Sequence, residues 1–117
     1  MSKSVCFYVD ERGNNPVKDF MKRLSLKEQF KIVAYFNELR IQGHNLRRPM
    51  ADYIGDGIYE LRPRHNRIFY FFFLRDNVIL LHAIRKKTDS IPQGDLDLCL
   101  KRKQLVEQAE GHIERID

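Results

Sequence analysis

The stretch Ile68-Phe69-Tyr70-Phe71-Phe72-Phe73-Leu74 runs through seven apolar and aromatic residues without a break. It is far too short to cross a bilayer, which takes roughly 18 or more such residues. Bounded by Arg67 on one side and Asp76-Asn77 on the other, it predicts a central β-strand covered on both faces. A strand of that kind demands neighbours in a sheet and packed layers above and below it. Ile58-Tyr59-Glu60-Leu61-Arg62 alternates as a half-buried strand does, and Pro63-Arg64-His65-Asn66 reads as the turn between the two. Asp76-Asn77 favours the left-handed conformations of a tight hairpin. The strand after it, Val78 to about Lys87, is apolar until His82 and basic at its end. The three strands predict an antiparallel meander.

The segments before and after it supply the covering layers. Val5-Cys6-Phe7-Tyr8-Val9 is a short β-rich run, expected to join the sheet at an edge. Asn15 as N-cap and Pro16 at the first helical position open a short helix whose apolar side is Phe20, Met21 and Leu24. Ser25-Leu26-Lys27-Glu28 is a capping box, in which each polar side chain satisfies the other's free backbone N–H. It predicts a helix from Leu26 to about Gln42, with Gly43 as its stop. The apolar stripe expected to face the core is Leu26, Phe30, Val33 and Ala34, extended by Phe36 and Leu39. Gly43 to Gly57 reads as a loop. After Pro92, a last helix is expected from Asp95 to about Arg115, acidic at its start and with an incomplete apolar stripe of Leu98, Leu105, Ala109, Ile113 and Ile116. The fold class is therefore α+β: a small antiparallel sheet in the order β-α-α-β-β-β-α, with an N-terminal helical hairpin on one face and a C-terminal helix. At 117 residues this is a single domain, residues 1–117. Two cysteines, Cys6 and Cys99, suggest neither a disulfide framework nor a metal-ligand set, and no secretory leader or membrane span is legible, so a cytoplasmic location is expected.

The net charge of +5 is concentrated in one part of the chain. Between Arg40 and Lys87 there are ten basic residues and four acids, while the remainder carries one more acid than base. Eight of the ten are Arg, whose planar fork binds phosphate bidentately. A basic band fits either a solvated surface or a nucleic-acid partner.

Three motifs in order, Glu60-Leu61-Arg62, Arg67-Ile68-Phe69-Tyr70-Phe71-Phe72 and Leu80-Leu81-His82-Ala83-Ile84-Arg85-Lys86-Lys87-Thr88 followed by Pro92, resemble the RelE/ParE superfamily. Within it the resemblance is to the HigB-like, phage-derived branch of toxins from type II toxin–antitoxin modules, and it covers nearly the whole chain. It implies a single RelE-like toxin domain with mRNA endonuclease activity, exerted in most characterised members on the ribosome. It also implies a cognate helix-turn-helix antitoxin as partner. Two alternatives share the fold: a ParE-like toxin that inhibits gyrase by protein contact, and a nucleic-acid-binding module without catalysis.

Metal-free RNA cleavage needs a base for the ribose 2′-OH, an acid for the 5′-oxygen and cations at the phosphate. The basic band has only isolated acids and no zinc-ligand spacing, so no metal or other cofactor is expected. Arg62 and Arg67 match basic positions of the family and are assigned to the scissile phosphate; pairing with Glu60 is the competing role. His82, Ile84 and Lys86 share a strand face by period-two alternation. With a reference pKa of roughly 6.5, His82 is the expected proton-transfer group, and Lys86 joins it. The competing role for His82 is that of a hydrogen-bonded core residue. Arg85 and Lys87 at the strand end, Arg64 in the turn, and Arg47 and Arg48 in the preceding loop are expected RNA contacts. The C-terminal region, where several RelE-type toxins carry a catalytic Tyr or His, offers only His112.

Overall fold

The uninterrupted apolar run does form a central strand. In the computed structural model, which describes residues 3–86, 90–109 and 112–116, β4 (Asn66–Phe73) lies between β3 (Ile58–Leu61) and β5 (Asn77–Arg85), antiparallel to both. Its side chains divide between two cores. Ile68 and Tyr70 face a cluster with Val17, Ile32, Phe36 and Leu39. Phe69 and Phe71 face a second with Cys99 and Val106. The first cluster is built on α1 (Pro16–Lys22) and α2 (Leu26–Gln42), the second on α3 (Gln93–Glu107). The α+β class holds, with the helical hairpin on one face of the sheet and α3 on the other.

Among the described residues the sheet has six strands in the order β2-β3-β4-β5-β1-β6. Three details differ from the sequence expectation. β1 (Ser4–Val9) is not an edge strand: it pairs parallel with β5 and antiparallel with β6 (His112–Arg115), so the sheet is mixed. Val5, Cys6, Phe7 and Tyr8 are all buried, alternately in the two cores, as an interior strand requires. The expected loop contains β2 (Ala51–Gly55), joined to β3 through Asp56 and Gly57, both at positive φ. That is the two-residue Asp-Gly hairpin turn. Finally, α3 ends at Glu107 with Ala109 left-handed beyond it, and the chain returns as β6 instead of extending the helix.

The starts of α1 and α2 agree with the sequence, though among the described residues only the Ser25 half of the expected capping box forms, and α3 begins at Gln93, two residues before the expected Asp95. The Asn15 side chain accepts from Lys18 N, and Ser25 Oγ accepts from Glu28 N at 3.2 Å. The expected core stripe of α2 holds only at Phe36 and Leu39, which face the core together with Ile32, whereas Leu26 and Phe30 are 67% and 70% exposed and Val33 and Ala34 also face outward. In the β4–β5 hairpin the left-handed residues are Leu74 and Arg75, not Asp76 and Asn77. Cys6 and Cys99 are free and buried, and burial pushes the Cys99 thiol up to about 12.

Candidate nucleic-acid interface

The α3 side of the sheet opens, at one end, into a cleft of about 300 Å³. Alternation places the side chains of Glu60 and Arg62 from β3 and its exit, and of Arg67 from β4, on this side. Ile84 and Lys86 follow from β5 and its end, Arg48 and Asp52 from the β2 region, and Asp95 from the start of α3. Arg62 and Arg67, expected at the phosphate, and Lys86, expected beside His82 in proton transfer, thus line one volume.

Arg67 is buried, 6% exposed, and rigidly held. Its Nη1 donates to the carbonyls of Arg64 and Asn66, each at 2.8 Å. Burial, and then the neighbouring Arg62 charge, lower its pKa, yet a guanidinium stays protonated throughout the ordinary pH range. Glu60, 4% exposed, sits between the two arginines: its Oε2 accepts from Arg62 Nη1 at 2.5 Å, and its Oε1 lies 3.9 Å from Arg67 Nε. The pairing that the sequence left open is therefore present, and it holds both cations at the cleft wall. The Arg48 guanidinium grips Asp52 Oδ2 through Nε and Nη2 at 3.1 and 2.8 Å and holds that carboxyl below its usual range.

The remaining sequence candidates are dispersed. Arg85 lines the cleft, but its Nη1 reaches across to Glu28 of α2 at 2.9 Å. Arg64, at positive φ in the turn, lies by Lys27 and Lys31 of α2 in a separate small pocket. Arg47 borders a shallow depression with His44, Tyr53 and Tyr59 that Arg48 shares with the cleft. Tyr70 is core. Lys87 lies outside the described residues. His112 is exposed on β6, not on a helix.

His82 does not line the cleft. The β4–β5 pairing shifts register between Phe69↔His82 and Tyr70↔Leu80, and β1 accompanies β5 only as far as Leu80. His82 therefore stands where the edge of β5 is uncovered, bordering an open depression with Pro16, Phe20 and Arg102. Its Nε2 is 2.8 Å from Asp95 Oδ1, and its Nδ1 is 3.2 Å from Arg102 Nη1. Burial lowers the ring's pKa below its usual value; the Asp95 hydrogen bond opposes this and the Arg102 charge adds to it. Sequence reasoning missed three groups here. Asp95 reads only as a helix-dipole partner and Glu60 only as a salt-bridge partner. Arg102 carries no local signal, because its role depends on α3 crossing His82.

A family model for the phage-derived Gp49-like proteins (DUF891) matches residues 19–104. The chain belongs to this family. No curated protein matches the sequence. The part of this Gp49-like protein that the family describes runs from α1 through most of α3 and includes every described residue lining the cleft. β1 and β6 fall outside it.

Proposed function

We propose that this Gp49-like protein is the toxin of a type II toxin–antitoxin module of RelE/HigB type: an endoribonuclease that cleaves mRNA, on the ribosome and without a metal ion, in the cytoplasm. The observation that carries this reading is the convergence of Arg62, Arg67 and Lys86 on one cleft, with Arg67 fixed by two backbone carbonyls before any ligand arrives. Donors held in place in this way stabilise the charge that builds on phosphate as the 2′-oxygen attacks, without reorganising at that moment. Among the described residues, the three carboxylates of the cleft are each engaged: Asp52 by Arg48, Glu60 by Arg62 and Asp95 by His82. Carboxylates so engaged suit positioning and proton transfer better than divalent-metal binding.

A helix-turn-helix antitoxin holds the enzyme inactive. Support for a protein partner comes from α2, whose outward side chains Leu26, Phe30, Val33 and Ile41 form an apolar stripe. The same stripe supports the second reading, a ParE-like toxin that acts on gyrase through protein contact. Inducing the gene and mapping transcript ends separates the two. The ribonuclease reading expects new mRNA ends within minutes and arrested translation. Intact transcripts with accumulating gyrase–DNA breaks would replace it with the ParE-like one.

A further inference from the structure

We infer that Asp95 is the group that takes the proton from the attacking ribose hydroxyl, and that His82 is a positioning residue that fixes its carboxylate. The inference rests on the ribonuclease reading above and assigns a role within that site.

Both nitrogens of His82 are occupied. A guanidinium has only N–H donors, so the 3.2 Å contact from Arg102 Nη1 makes His82 Nδ1 an acceptor. The ring proton then resides on Nε2 and is donated to Asp95 Oδ1 at 2.8 Å. Arg102 Nη1 is itself anchored, donating to the Leu81 carbonyl at 2.9 Å. No nitrogen of His82 remains to meet RNA, and the ring lines the depression beside α1, not the cleft. Asp95 does line the cleft, beside Arg62, Arg67 and Lys86. Among the described residues Oδ1 is taken by His82, which leaves Oδ2 to receive a proton. The chain Leu81 carbonyl, Arg102, His82, Asp95 thus orients a carboxylate from β5 and α3 toward the phosphate-binding cations.

In the step assigned, Asp95 Oδ2 removes the 2′-OH proton while the 2′-oxygen forms a bond to phosphorus. The bond from phosphorus to the 5′-oxygen breaks, and that oxygen leaves with its electron pair and gains a proton from Lys86 or water. The products are a 2′,3′-cyclic phosphate and a 5′-hydroxyl, and Asp95 returns its proton to solvent. No oxidant, reductant or co-reactant is consumed.

The test is single-turnover cleavage of ribosome-bound mRNA by the full chain and three variants, beside thermal melts. Asp95→Asn still accepts the His82 hydrogen bond but is not a base. Its cleavage rate is expected to fall about 100-fold or more, the scale of general-base loss, with half-saturation and melting temperature near wild type. His82→Gln, whose amide still donates to Asp95, is expected to stay within about tenfold of wild type, whereas His82→Leu, with no donor, falls toward the Asp95→Asn level. Asp95→Asn cleaving at the wild-type rate overturns the inference. An inactive but folded His82→Gln beside an active Asp95→Asn returns proton transfer to His82. If wild type itself leaves mRNA intact, the ribonuclease reading falls and the inference with it.

Discussion

At the scale of single residues, the cleft joins stability to the proposed function, because its cations hold carboxylates, among them the buried Glu60. Arg62→Ala removes the close partner of Glu60, which is almost fully buried. Breaking such a pair on one side costs about 3 kcal/mol or more. Adding Glu60→Gln should restore much of the melting temperature while cleavage stays at least roughly 100-fold down. Recovery of both together would mean that Arg62 serves the fold alone. His82 gives a pH signature. Its folded pKa is held below the ordinary 6.5 by burial, so the unfolded chain binds the proton that the folded ring resists. Stability is then full above about pH 6.5 and declines as pH falls below it. Glu28 and Asp52, whose carboxyls are held low by Arg85 and Arg48, add their loss only in the acid range of carboxylates. Melting temperatures taken from about pH 7.5 down to 5 should fall more steeply for wild type than for His82→Gln. His44, also lowered by burial, leaves a residual slope in the variant. Parallel curves would show that His82 does not change its protonation on unfolding.

The elements show where sequence patterns were sufficient and where they were ambiguous. β4 was legible because an unbroken apolar run has one economical solution, burial on both faces. The helix starts were legible because Asn15 and Ser25 act locally. α2 was not, since it carries apolar residues at helical spacing on two opposite sides. Leu26, Phe30 and Val33 form one stripe and Ile32, Phe36 and Leu39 the other, and periodicity cannot say which meets the sheet. Phe36→Ala is therefore expected to cost about 3–5 kcal/mol, and Phe30→Ala, on the outer side, within about 0.5 kcal/mol. Denaturant titrations of the two variants check this; equal losses would contradict the packing described. β2 was missed because Ala51-Asp52-Tyr53-Ile54-Gly55 lacks alternation, although Asp56-Gly57 carried the hairpin signal. β6 was missed because its pairing with β1 spans nearly the whole chain, and no local pattern reports so distant a contact.

At the scale of the molecule, the concentration of arginine between residues 40 and 87 becomes spatial. β2, β3, β4 and β5 bring Arg48, Arg62, Arg67, Arg85 and Lys86 to the same end of the sheet, and the start of α3 closes the cleft with Asp95. The basic wall of the cleft, Arg62, Arg67 and Lys86, was legible because alternation fixes which strand residues share a face. The network of Asp95, His82 and Arg102 was not, because it depends on a register shift in β5 and on the placement of α3, and both are tertiary. The arrangement of cations and carboxylates makes one measurement decisive. Purified protein is mixed with ribosomes translating a defined mRNA, and the ends of the message are mapped. The account predicts discrete cuts bearing 5′-hydroxyl ends, made by wild type and lost with Arg67→Ala. An intact message, with wild-type protein folded and bound to the ribosome, would contradict it.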